Sequence, residues 1–68
     1  MEVARITKGG VVYRIIANHP IYGMYEIEKL STYQHHDGTM CDVWSTAIMP
    51  IRIFKTIDEA RNYIYYNI

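Results

Sequence analysis

A chain of 68 residues with seven basic and seven acidic side chains carries no formal net charge. It therefore has no long-range field with which to gather phosphate, and generic nucleic-acid binding is disfavoured. Half of the residues are hydrophobic and 21% are charged, which excludes a disordered chain, and no apolar run approaches the roughly 20 residues of a membrane span.

At this length residues 1–68 make one domain, which buries only about 60% of the surface its unfolded chain exposes. Glu2 to Thr7 reads as a first strand, and Lys8-Gly9-Gly10 supplies the glycines that a tight hairpin turn needs. Val11 to Ala17 is a run of β-branched and aromatic residues too short for a buried helix, hence a second strand. Asn18-His19-Pro20 breaks it, and Gly23 closes the loop that follows. From Met24 to Leu30, Tyr25 and Ile27 alternate with Glu26 and Glu28, the pattern of a half-buried third strand. Asp37-Gly38 then signals a type I′ turn into a fourth strand, Met40 to Ile48.

In that fourth strand Cys41, Val43, Ser45 and Ala47 share one row, and Met40, Asp42, Trp44, Thr46 and Ile48 share the other. The first row is small enough to lie beneath a helix. After Pro50, Ile51 to Phe54 reads as a short fifth strand at an edge. Thr56 and Glu59 then form a capping box, in which the hydroxyl accepts from the Glu59 N–H and the carboxylate reaches back to the Thr56 N–H. In the helix so begun, Ile57, Ala60 and Ile64 share a narrow apolar face. The expected fold is α+β: an antiparallel sheet of four or five strands in sequential hairpins, with one C-terminal helix packed on one face. A five-stranded barrel plugged by the helix is the alternative.

The ending Phe54-Lys55-Thr56-Ile57-Asp58-Glu59-Ala60, with Tyr63-Ile64 beyond it, resembles a loose class of short bacterial and phage proteins that finish in a strand and a helix of this pattern. The resemblance spans about the last 15 residues and transfers no catalytic residue. It implies a phage or mobile-element factor that blocks host machinery by binding it, as anti-defence (anti-CRISPR-like) inhibitors do, in the host cytoplasm if viral.

The residues themselves offer little chemistry. His35, His36 and Asp37, with Cys41 close by and His19 in another loop, are zinc-ligand types. Their spacing fits no standard site, and no metal or other cofactor is expected. Cys41 with a histidine could serve as nucleophile and base, but the alternation places it in a row of small side chains, where a thiol packs as a minor hydrophobe. Ser45 and Thr46 lack a nucleophile elbow, and the glycines match no phosphate loop. Glu26 and Glu28 share a strand face, but the chain is too small to wall a sugar cleft around them, so they read as a solvated row. An enzyme is therefore not expected. The single cysteine cannot close an internal disulfide and the N-terminal residues form no apolar leader, which favours a cytoplasmic setting without membrane association.

Aromatic residues carry the functional reading. The chain has seven tyrosines and one tryptophan, the types that protein interfaces enrich. If Cys41, Val43 and Ala47 face the helix, Trp44 lies on the open sheet face with Met40 and Ile48 beside it; in the opposite register Trp44 is instead the centre of the core. Tyr63, Tyr65 and Tyr66 wrap the helix end, so some are exposed in either case. The expected activity is non-enzymatic binding of a larger protein, or of a second copy, through Met40, Trp44, Ile48, Tyr63, Tyr65 and Tyr66. The alternative is single-stranded nucleic-acid binding, with Tyr13, Tyr25, Tyr33 or Trp44 stacking on bases and Arg5, Arg14, Lys29 and Arg52 on phosphates.

Overall fold

A computed structural model describes residues 1–19 and 24–68 and, at Asn18 and His19, the backbone alone; the loop expected around Pro20 and Gly23 lies outside the described residues. Four strands follow one another as β1 (Glu2–Lys8), β2 (Val11–His19), β3 (Met24–Gln34) and β4 (Met40–Thr46), and α1 (Ile57–Asn67) closes the chain. The strands form one antiparallel sheet in the order β1-β2-β3-β4. The sheet is open, with β1 and β4 at its edges, rather than a barrel.

Gly9 and Gly10 both take positive φ, 60° and 79°, and Lys8 pairs directly with Val11. This is the two-residue turn expected of that pair, since side-chain-bearing residues resist positive φ at both positions. The second hairpin differs. Only Gly38 has positive φ, so the type I′ turn does not form at Asp37-Gly38. Instead the Gly38 N–H donates to the His35 carbonyl at 3.0 Å, and the His35 N–H to the Thr39 carbonyl at 2.7 Å. Asp37 Oδ1 accepts from both the N–H and the hydroxyl of Thr39, an Asx-type bond that stabilises the longer loop.

Four strand bounds move, that of β1 by a single residue, to Lys8. β2 runs through Asn18 to His19 rather than breaking at Asn18, with a register shift between Ala17 and His19. β3 extends to Gln34 because Ser31 to Gln34 find partners on β4, and β4 stops at Thr46. The fifth strand expected over Ile51 to Phe54 shrinks to a single antiparallel bridge, Tyr25 to Phe54, closed by two 2.8 Å hydrogen bonds. The physical reason is local: among the described residues the start of β3, ahead of its ladder with β4, is met by Ala47, which donates to the Ile27 carbonyl, and by Phe54, while Pro50 has no N–H to offer a ladder.

The core lies between the helix and one sheet face, where Ile6, Tyr13, Ile15, Ile27, Phe54, Ala60 and Ile64 are buried. Ile15 and Ile27 sit opposite each other on the two central strands, and Ala60 and Ile64 press on them from above, with Ile57 packed alongside. Thr56 is the N-cap: its Oγ1 accepts from the Glu59 N–H at 3.1 Å. The Glu59 carboxylate reaches back one residue further than a standard capping box, to the Lys55 N–H at 3.3 Å. Replacing Thr56 with alanine leaves that helix-end donor without its side-chain acceptor and is expected to cost about 1 kcal/mol of stability; an unchanged thermal midpoint would contradict the cap.

At the other end the last helical turn has no basic residue of its own. Lys8, in the first hairpin, fills the role: its Nζ donates to the Ile64 carbonyl at 3.1 Å and to that of Tyr65. A cation at the negative end of the helix dipole satisfies two carbonyls that the helix leaves open.

Candidate functional site

The sheet has two faces and the helix covers one. Ile27 on β3 is buried beneath the helix, and alternation with the observed pairing puts Ser31, Tyr33, Cys41, Val43 and Ser45 on that same face. Trp44, opposite Leu30, is therefore on the open face and not in the core. The register in which Trp44 is the core centre is excluded.

On that face Trp44 is not bare. The Arg14 guanidinium lies 4.2 Å from its ring and that of Arg5 lies 5.4 Å away, a double cation–π arrangement that partly shields the indole. Each arginine is also held by a carboxylate. Arg14 meets Glu28 Oε1 at 2.6–2.7 Å from across the β2–β3 pair, and Arg5 meets Glu2 at 2.7 and 3.1 Å. Residues three apart on a regular strand face opposite ways, so the Glu2–Arg5 contact needs the register shift between Glu2 and Ala4, which returns Glu2 to the open face beside Ile16. The bulge thus builds one end of the network. The Arg5 guanidinium, donating to the Glu2 carboxylate, holds Glu2 below its ordinary range, and Glu2 raises Arg5 in turn.

Val12, Ile16 and Leu30 are half-buried among these side chains, and Thr32 Oγ1 donates to Asp42 Oδ1 at 2.8 Å. The face is an amphipathic lattice: apolar bodies below, and charges paired edge to edge above them.

The residues expected to join Trp44 are divided. Met40 stays on the open face, 61% exposed. Ile48 does not, because β4 ends at Thr46 and the chain turns Ile48 against the core. Tyr63 is likewise core-facing, its ring 5.3 Å from Phe54, whereas Tyr65 and Tyr66 are exposed. Arg52 lies over Phe54 and Tyr63, at 5.5 and 5.1 Å, beside a shallow groove of about 320 Å³ lined also by Glu59, Asn62, Tyr66 and Asn67. Met49, Ile51 and Ile53, just before this groove, are exposed.

Of the catalytic candidates one pair comes together, Cys41 with His35. Glu28 is bound to Arg14, and Glu26 lies two residues along the same face, both half-buried. Among the described residues no three histidine, cysteine or carboxylate side chains gather as a metal site would require. Cys41 was expected in the core, but β4 lies beyond the reach of the helix, and Cys41 is only half-buried, with its Sγ 3.2 Å from His35 Nε2. Ser45 is half-buried on that same helix-side face, and Thr46 lies on the open face. Of the stacking candidates Tyr13 is buried, Tyr25 is half-buried beside Phe54, and Trp44 is occupied by two arginines; Tyr33 alone is largely exposed, and it lies on the opposite face from Trp44.

Asp37 is held below its ordinary range by the two Thr39 bonds. A carboxylate lowered in the folded state stabilises above its unfolded pKa, and that contribution disappears as the pH falls through the folded value. The share of stability that these two carboxylates supply is therefore expected to be constant near neutrality and to be lost in acid, below the ordinary values of 4.5 for Glu2 and 3.8 for Asp37. Urea titrations from neutral to acid pH would check this, and the double change Glu2→Gln, Asp37→Asn should flatten the acid limb. A decline that begins above pH 6 would show that other groups govern it.

Comparison with protein families, with curated proteins and with solved structures finds no match to this chain. Among the described residues no helix is long and apolar enough to cross a membrane.

Proposed function

We propose that this chain is a non-enzymatic protein-binding module that docks a larger protein on its open sheet face, around Trp44. One observation carries the reading. Among the described residues no element covers the second sheet face, which bears the chain's only tryptophan alongside half-buried Val12, Ile16 and Leu30, with Met40 exposed at its margin. Aromatic and arginine side chains together are what interface centres enrich, and a guanidinium lying on an indole is held flat, so little further ordering is needed on docking. Binding of this kind acts by occupancy, one chain to one partner, without turnover. Blocking of a host factor by a phage or mobile-element protein is the form of it that the resemblance of the helix suggests.

The nucleic-acid alternative is weakened by the positions of its residues: Tyr13 and Tyr25 belong to the core side, and Arg5 and Arg14 are already paired with carboxylates. The test is affinity capture on the immobilised chain, run in parallel with Trp44→Ala and with a Thr56→Ala control. Proteins retained by the native chain and the Thr56 variant, and lost with the Trp44 variant, support the open face. Equal capture by all three removes Trp44 from the interface.

A further inference from the structure

The two edges of the sheet are unequal. β1 carries the devices that keep an edge from pairing: a register shift at its start and the charged side chains Glu2, Arg5 and Lys8. β4 has none of them. Its ladder with β3 runs from Glu28–Thr46 to Gln34–Met40 without a shift, it contains no lysine, proline or glycine, and its one charge is Asp42. The helix contacts β1, β2 and β3, and no contact with β4 is found among the described residues. Val43, at its middle, is 41% exposed. A regular seven-residue edge with free backbone donors and acceptors is a template for another strand.

We propose that β4 pairs antiparallel with β4 of a second copy about a twofold axis at Val43, joining two sheets into one of eight strands. This goes beyond the open-face reading, because it uses the sheet edge and the helix-side residue Val43.

Charge selects both the occupant and the register. An antiparallel pair with its axis normal to the sheet keeps residue parity, so the axis falls on a residue and facing side chains share a face. Centred on Val43, Asp42 stands opposite the partner's Trp44, whose ring carries the Arg14 and Arg5 guanidiniums. A carboxylate thus comes to a tryptophan covered by two guanidiniums, each already holding a carboxylate of its own chain, Glu28 or Glu2, and it meets no like charge directly opposite, twice by symmetry. Centred on Asp42, the same pairing would place the two carboxylates face to face, which is unfavourable. Val43 meets the partner's Val43, a β-branched pair suited to the close approach at the axis.

The register also fixes where sulfur cannot meet sulfur. Cys41 lies opposite the partner's Ser45, so the two Cys41 thiols are offset by four residues, about 13 Å along the strands at 3.3 Å per residue.

Sedimentation of the native chain from about 1 μM to about 1 mM, the range over which weak interfaces dissociate, should show a monomer–dimer equilibrium. Val43→Lys should raise the dimer dissociation constant tenfold or more with an unchanged far-UV spectrum. Register is read separately: under mild oxidation the native chain should not cross-link through Cys41, whereas Cys41→Ser with Val43→Cys should, because directly opposed Cα atoms in an antiparallel pair lie within disulfide range, about 4.5–5.5 Å. A native chain that stays monomeric throughout overturns the pairing, and a dimer that cross-links through Cys41 overturns the register. Either result leaves the open-face reading standing, since Val43→Lys does not touch that face; undiminished capture by Trp44→Ala would be its separate failure.

Discussion

Replacing Ile27 with alanine is expected to leave most of the protein unfolded at 25 °C. Ile27 is 1% exposed at the centre of the sheet, opposite Ile15 and beneath Ala60 and Ile64, and its carbonyl anchors Ala47. Truncating a buried isoleucine to alanine costs about 2–5 kcal/mol, the upper part of the range where the surroundings cannot collapse. Here they are held by strand pairing on one side and a helix on the other. A domain below about 70 residues rarely has more than 3–5 kcal/mol in total, so the loss is comparable to the whole stability. Ile27→Val, which removes one methyl group for about 1 kcal/mol, should stay folded. Urea unfolding followed by tryptophan fluorescence distinguishes them, and a cooperative Ile27→Ala transition near the native midpoint would mean that the core lies elsewhere.

Trp44→Ala should do the opposite, weakening partner binding by about 2 kcal/mol or more, on the scale of an interface hot spot, while leaving the fold in place. The indole lies on the face away from the helix, so its removal opens no cavity among Ile15, Ile27 and Ile64. What the free protein loses is contact with two exposed or half-exposed guanidiniums, about 1 kcal/mol at such sites. Titration calorimetry with a captured partner, set beside thermal melts of both proteins, measures the two effects separately. Loss of the fold would show that the sheet depends on the Arg5–Trp44–Arg14 stack, and unchanged affinity would remove Trp44 from the interface.

The sequence was most legible where the signal was local. The Thr56 cap, the Gly9-Gly10 turn and the alternation of β3 and β4 depend on residues within a few positions of one another, and alternation alone sufficed to put Cys41 and Trp44 on opposite faces. It failed where the outcome depends on partners far along the chain. Whether Ile48 joined Trp44 depended on where β4 lost its ladder, which β3 decided. Whether Cys41 became core depended on how far a helix of 11 residues extends over four strands. The candidate site was half visible: Trp44 and its row could be reasoned out, but not which sheet face that row occupied, nor the arginines over it. Arg5 and Arg14 are ordinary strand residues until the register places them opposite each other and the bulge at Val3 turns Glu2 toward them. A periodicity of two cannot reveal a bulge, because one extra residue reverses every assignment before it.

The ammonium of Lys8 binds the first hairpin to the last turn of the helix, across 56 and 57 positions of sequence. Opening of either element therefore breaks a contact of the other. If the end of the helix frays, a lysine at the hairpin turn loses both its acceptors; if the hairpin loosens, two helix carbonyls lose their donor. In a chain this small that one side chain acts as a latch between the first and last elements, so the amide protons of β1 and of the C-terminal turn of α1 are expected to exchange more nearly together in the native chain than in Lys8→Met. The open face inherits this rigidity, since Arg5 stands three residues before the latch on the same strand.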